Sequence, residues 1–125
     1  MSRWYAHKPK GADLRIPDEI LDSVAFLTIK DDAADKSKPA GTAVLLTQAS
    51  RVPGEVFTYL ATAGHCVVGM KRHRHSYVRA NTWAGGLQEI EVDPNEWRMA
   101  EDYPATDLAV MPFSPGPLRI VGCSL

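Results

Sequence analysis

His65 and Asp107 are the two side chains whose type and surroundings best suit acid–base chemistry. His65 follows Ala63 and Gly64 at the end of a predicted strand, where small neighbours let the backbone pack closely and an imidazole reach the rim of a sheet. Asp107 precedes the apolar residues 108–110, and an acid held partly buried beside such a run acts strongly on a nearby imidazolium. A base and a carboxylate that orients it are two of the three parts that a hydroxyl nucleophile needs.

Short apolar segments separated by turn residues must position these two side chains, and they predict an all-β fold. Pro53 and Gly54 preset a type II turn that joins the second and third segments into a hairpin. The predicted strands cover residues 23–30, 41–48, 55–62, 77–82, 88–93 and 107–113. Six short strands of this kind are typical of a small antiparallel barrel or sandwich, and periodicity alone does not choose between the two.

Composition and charge favour an ordinary globular domain. Hydrophobic residues make up 45% and charged residues 23% of the chain. The net charge of −1 argues against binding to nucleic acid or to anionic membranes, and the local basic run at 71–75 is interpreted as a solvated turn. No apolar run approaches the roughly 20 residues that cross a bilayer, and no signal peptide is visible, so we expect a cytoplasmic location.

Three motifs in this chain resemble those of the trypsin-like (chymotrypsin-like) serine peptidases. Residues 60–67, Leu-Ala-Thr-Ala-Gly-His-Cys-Val, are similar to the segment around that family's catalytic histidine, whose usual form is Thr-Ala-Ala-His-Cys, and Gly64 is the one difference. Residues 107–110, Asp-Leu-Ala-Val, resemble the segment around its catalytic aspartate, and the spacing of 42 residues from His65 is close to the family's. Residues 41–46 resemble its Gly-rich second strand, so the three matches span about residues 20 to 115 in the family's order.

The resemblance implies a fold, a reaction and a role for each residue. The family has two six-stranded antiparallel barrels, and this chain is similar to the first of them over residues 19–115. Residues 1–18 then form an N-terminal arm, and residues 116–125 form the start of the inter-barrel linker or a truncated tail. In the serine endopeptidase reaction His65 acts as general base and then general acid, Asp107 orients it, and neither a metal nor an organic cofactor takes part.

The family's nucleophile, a serine in a Gly-Asp-Ser-Gly-Gly segment of the second barrel, has no counterpart in this chain. Ser114 and Ser124 are the only serines after Asp107. Neither has the glycine-flanked loop whose backbone N–H groups hold an oxyanion. We therefore expect no appreciable peptidase activity from the chain alone, and the residues 119–122, Arg-Ile-Val-Gly, resemble the family's activation site only by coincidence.

The cysteines depart from the family's pattern. There the cysteine after the histidine pairs with one just before the second strand's glycines, where this chain has Pro39, Ala40 and Gly41. Cys66 is therefore either a free, buried thiol or the partner of Cys123. If the chain is extended at this point, Cys66 faces away from the side of the histidine.

Two further histidines could contribute to a metal site. His73 and His75 can share one face of a strand, but no cysteine or carboxylate at a suitable spacing completes a tetrahedral set. The sequence therefore predicts no metal site.

Three functions are compatible with these residues. The first is half of a serine endopeptidase, acting on a polypeptide once a second barrel completes it. The second is a non-catalytic single-barrel homologue that binds a partner protein or a second copy of itself, and the third is a structural domain in which His65 and Asp107 are relics. The surface beside His65 and Asp107 discriminates between the first two functions. In half of an enzyme, the bare interface for the second barrel should be apolar. In a binding module, the same surface should be polar or should be paired in a homodimer.

Overall fold

A computed structural model describes residues 22–32 and 34–124 of the chain. The strands are β1 (Val24–Lys30), β2 (Lys38–Ala49), β3 (Val56–Thr62), β4 (His75–Asn81), β5 (Leu87–Val92), β6 (Arg98–Met99), β7 (Ala109–Pro112) and β8 (Cys123–Ser124). One α-helix, α1 (Gly64–Met70), and one 3-10 turn (Pro94–Glu96) complete the regular structure of the described part. The prediction of an all-β fold is confirmed, while the predicted arm at 1–18 lies outside the described residues.

The strands form one sheet in the order β5-β4-β1-β2-β3-β7-β6, in which every neighbouring pair is antiparallel. β8 pairs with β2 in parallel and lies off this path. The two edge strands, β5 and β6, are joined by residues 93–97, but no ladder connects them within the described residues. The sheet is therefore open, and it does not confirm the closed six-stranded barrel expected from the sequence.

Alternation along the strands sends one set of side chains to a common core. Leu45, Leu60 and Met111 lie side by side across β2, β3 and β7, and all three are buried. Val67 and Met70 of α1 join the same core. Burial of a side chain of this size stabilises the fold by roughly 1.5–3 kcal/mol, so this row holds together the strands on either side of the His65 and Asp107 segments.

The C-terminal segment, predicted to begin a linker, packs onto the sheet. Leu118 and Ile120 are buried in the core, and the backbone N–H of Arg119 donates to the carbonyl of Asn81 at 2.6 Å. Gly122 then lies against Thr47 of β2, with no room for a side chain between them. The contact brings the following strand, β8, into register with β2.

Gly122→Ala is expected to lower the free energy of unfolding by about 1–3 kcal/mol, since overpacking a tight contact costs energy of this order. The added Cβ would overlap the Cγ2 methyl group of Thr47. Urea unfolding measures the effect, and Thr47→Ser, which lacks that methyl group, should restore most of the loss in the double variant. Gly69→Ala is the matched control, because a Cβ there meets nothing within 4 Å. Equal effects of the two glycine substitutions would contradict the proposed packing.

No helix in the described part of the chain is both long and apolar enough to cross a bilayer.

Candidate active site

His65 occupies the second position of α1. β3 ends at Thr62, and Ala63 caps the helix in an extended conformation, with φ −67° and ψ 137°. The change from strand to helix within two residues places the imidazole at the end of the sheet, where 70% of the side chain is exposed. Sequence analysis expected His65 at a strand end, and the structure places it just beyond one.

Asp107 lies at the same end of the sheet, just before β7. Thr62, the last residue of β3, pairs with Ala109, the first residue of β7. Because the two strands are antiparallel, the residues after β3 and those before β7 meet at one edge. The register of this pair therefore brings together two residues that are 42 positions apart in the sequence.

The carboxylate of Asp107 accepts two hydrogen bonds from His65. Nδ1 of the imidazole lies 2.5 Å from Oδ2, and the backbone N–H of His65 donates to Oδ1 at 2.8 Å. We assign the proton of the neutral imidazole to Nδ1, because a carboxylate can only accept. Nε2 is then a proton acceptor, and it has no hydrogen-bond partner among the described residues.

The two hydrogen bonds also favour the ionised carboxylate. The bond from the His65 side chain, followed by the bond from its backbone, lowers the pKa of Asp107 below its usual range, although burial opposes the shift. A group whose pKa is lowered on folding stabilises the fold above its unfolded pKa, and the contribution is lost as the pH falls through the folded pKa.

The stability advantage of the wild-type chain over Asp107→Asn is therefore expected at neutral pH and should shrink as the pH falls through the lowered pKa of Asp107. Urea midpoints of both chains, measured from neutral to strongly acidic pH, test this. The other carboxylates titrate in both chains, so their contribution cancels in the difference between the two midpoints. A difference that stays constant over the acid range would contradict the hydrogen bonding described above.

Cys66 is a free thiol, as one of the two sequence interpretations held, but it is half-buried rather than buried. Its Sγ lies against Gly41, within the segment where the trypsin-like family has its second cysteine. Cys123, the other candidate partner, is not bonded to Cys66, and its Sγ lies 2.9 Å from the hydroxyl oxygen of Ser23. The assumption of extended chain at Cys66 is wrong, because the residue is helical and its N–H donates to the carbonyl of Ala63 at 3.0 Å.

His73 and His75 do not converge on a common site. Nδ1 of His73 lies 3.0 Å from a carboxylate oxygen of Asp31, and Nδ1 of His75 lies 2.7 Å from one of Glu91. The bond with His73 is the main cause that lowers the pKa of Asp31. Residues 22–32 and 34–124 contain no group of three or more potential ligands arranged to hold a metal.

Neither serine considered as a nucleophile reaches the imidazole. Ser124 lies in β8 beside Thr47. Ser114 follows the C-terminal end of β7, whereas Asp107 precedes its N-terminal end. Within the described residues, Asp107 is the one hydrogen-bonding partner of the His65 side chain.

Sequence reasoning missed two contributions to this site. The first is the backbone N–H of His65, which no sequence pattern reveals. The second is Tyr103, whose ring packs on Gly64 next to the histidine. The signal available for it was the unexplained glycine in the histidine motif, since a glycine without a turn can mark close approach of another group.

An apolar surface lies beside the pair. Val24, Val44, Ala61 and Val110 are neighbours across β1, β2, β3 and β7, on the face opposite the core row, and all are half-buried. Leu108, next to Asp107 and just before β7, is also apolar and is 43% exposed. We call these five residues the outer apolar row.

No protein-family model matches the chain, and no curated protein matches it.

Proposed function

We propose that the chain is the base-bearing half of a trypsin-like serine endopeptidase. The observation that carries the proposal is the contact between Nδ1 of His65 and Asp107, which leaves Nε2 of this exposed side chain without a hydrogen-bond partner among the described residues. That arrangement suits a general base, because an oriented imidazole with a bare Nε2 can accept a hydroxyl proton.

The proposed reaction assigns each proton a place. Nε2 of His65 takes the proton of a serine hydroxyl as its oxygen attacks the peptide carbonyl, and the imidazolium then gives that proton to the leaving amine. Asp107 stays ionised, fixes the Nδ1–H tautomer and stabilises the imidazolium. The serine and the backbone N–H groups that hold the oxyanion come from outside the described chain, and the proposed reaction uses neither a metal nor an organic cofactor.

We further propose that the sheet belongs to the first barrel of such an enzyme. The six predicted strands correspond to β1, β2, β3, β4, β5 and β7, and the edges β5 and β6 are consecutive in the sequence. The pairing of β1 with β2 shifts register between Leu27 and Thr28, where Ala40 of β2 is the extra residue, and a bulge of this kind increases local bending. Pairing the two edges would close the barrel.

The outer apolar row favours the proposal that the chain is half of an enzyme over the proposal that it is a binding module acting alone. An apolar surface beside a catalytic pair is expected where a second domain docks. A second barrel on this surface would bring a nucleophile towards Nε2 of His65.

Labelling with a fluorophosphonate probe tests the proposal. The full-length product of the gene that encodes this chain should be labelled on a serine and should cleave fluorogenic peptides, while the chain of residues 1–125 alone should do neither. His65→Ala in the full-length product should abolish both. Peptide turnover by residues 1–125 that is lost in His65→Ala would contradict the assignment of the nucleophile to another segment, and turnover insensitive to His65→Ala would overturn the proposal.

A second function, a non-catalytic protein-binding module, is favoured by the absence of a nucleophile near His65 among the described residues. Here the outer apolar row would bind a partner protein or a second copy of the chain. Sedimentation of residues 1–125 measures this: a dimer that Val110→Asp dissociates supports the module, whereas a monomer at all concentrations removes the homodimer.

A further inference from the structure

The loop that delivers Asp107 is held in shape by its own hydrogen bonds. The N–H of Ala100 donates to the carbonyl of Leu108 at 2.9 Å and closes the loop at its base. Within it, the N–H of Tyr103 donates to the carbonyl of Ala100 at 3.0 Å, and the Thr106 hydroxyl donates to a carboxylate oxygen of Asp102 at 2.8 Å. Residues 100–108 therefore form a preshaped unit whose position relative to α1 decides whether Asp107 reaches His65.

The side chain of Tyr103 joins this loop to the helix. A Cβ added to Gly64 would lie 2.5 Å from Cε1 and 2.8 Å from Cδ1 of Tyr103, and 2.8 Å from the terminal methyl carbon of Met99. The ring and the methyl group thus occupy the space that any other residue's side chain would fill. Gly64, the one difference from the family's usual motif, is matched to Tyr103.

The bonds between His65 and Asp107 need such support. Both side chains are exposed, at 70% and 42%, and exposed ion pairs contribute little because water and salt compete with them. An apolar contact one residue before His65 does not depend on salt or protonation. It can therefore hold the two elements together in either protonation state of the imidazole.

We propose that Tyr103 is a positioning residue, which by packing its ring on Gly64 holds the loop 100–108 against α1 and so keeps Asp107 on Nδ1 of His65. The catalytic meaning of this role rests on the proposed function, but the contact itself does not. The ring is the part that acts, because the Tyr103 hydroxyl makes no hydrogen bond to a described residue.

The Nδ1–H proton of His65 reports on this role, since a proton held between an imidazole and a carboxylate gives a resolved downfield NMR signal. The signal should persist in the chain of residues 1–125 and in Tyr103→Phe, which keeps the ring. It should be lost in Tyr103→Ala and in Gly64→Ala, while Gly69→Ala in the same helix should retain it. If Tyr103→Ala does not fold, Tyr103→Leu takes its place, and a weakened signal is expected. A full signal in a folded Tyr103→Ala or Tyr103→Leu chain, or its loss in Tyr103→Phe, would overturn the proposal.

Thermal unfolding of a double-mutant cycle provides the second readout. Gly64→Ala should lower Tm in the wild-type background and lower it much less in the Tyr103→Leu background, where the crowded ring is gone. Equal shifts in both backgrounds would show that the two residues are not coupled and would overturn the match between them. Neither readout involves peptide cleavage, so a negative peptidase assay and a failure of this proposal are distinguishable.

Discussion

Asparagine in place of Asp107 is expected to lower kcat/KM of the full-length gene product by about 10⁴-fold, the loss typical of a triad whose orienting carboxylate becomes an amide. The amide can donate a hydrogen bond as well as accept one, so it no longer requires the proton on Nδ1. Much of the His65 population then carries its proton on Nε2, the atom that must accept one. The amide also lacks the charge that stabilises the imidazolium.

Glu101→Gln is the matched control for this loss. It removes one negative charge from the same loop, and no hydrogen bond or ion pair involves Glu101 in the described structure. Its kcat/KM should stay within about twofold of wild type, since remote surface charges are largely screened. Comparable losses in the two variants would mean that the net charge of the loop, rather than the orientation of His65, determines activity.

Cysteine in place of Gly41 is expected to form a disulfide with Cys66 and to raise the free energy of unfolding by about 3 kcal/mol. A Cβ at residue 41 would lie 2.8 Å from Sγ and 3.4 Å from Cβ of Cys66, close to the Cβ separation found in disulfides. The bond would close a loop of 25 residues, which restricts the unfolded chain substantially. The new disulfide would also lie in the segment where the trypsin-like family has a disulfide.

Thiol titration and urea unfolding under oxidising and reducing conditions measure this effect. The oxidised variant should have one reactive thiol, that of Cys123, and its added stability should disappear on reduction. Gly41→Ser is the matched control, because it adds a side chain of similar size that cannot bond and should only crowd Cys66. A variant that keeps three free thiols, or that links Cys66 to Cys123, would show that residues 41 and 66 are not in contact.

The strands were the most predictable part of the fold. β1, β3 and β5 lie within one residue of the predicted segments, because their Val, Ile, Phe and Leu content is a local signal. The hairpin between β2 and β3 is confirmed as well: Glu55 N–H donates to the carbonyl of Val52 at 3.2 Å, and Gly54 has φ +83°. Positive φ at the third residue of the turn is what a type II turn requires.

The errors have a common cause, which is that partners distant in the sequence decide the structure. β6 and β8 contain two residues each and exist only through pairing with β7 and β2. β2 begins at Lys38 rather than at residue 41 and therefore includes Pro39. Pro39 pairs with Thr28 next to the register shift, where an irregular ladder tolerates a residue without an N–H. The seven residues of α1 are too few for helical periodicity to emerge.

For the site, spacing and residue type anticipated the pairing of His65 with Asp107 but not its surroundings. The motifs carried no information on Tyr103, on the backbone N–H that Asp107 accepts, or on the helix that turns Cys66 towards Gly41. These depend on contacts between segments 25 to 42 residues apart, which one sequence does not encode locally.

The tautomer of His65 tests the central claim most directly, because the general base must carry its proton on Nδ1 and leave Nε2 bare. Nitrogen-15 NMR of the labelled imidazole at neutral to mildly alkaline pH measures it in residues 1–125, without a second barrel. We predict that the neutral side chain is protonated on Nδ1 in the wild-type chain and shifts towards Nε2 in Asp107→Asn. A wild-type chain whose neutral His65 is protonated mainly on Nε2 would contradict the account.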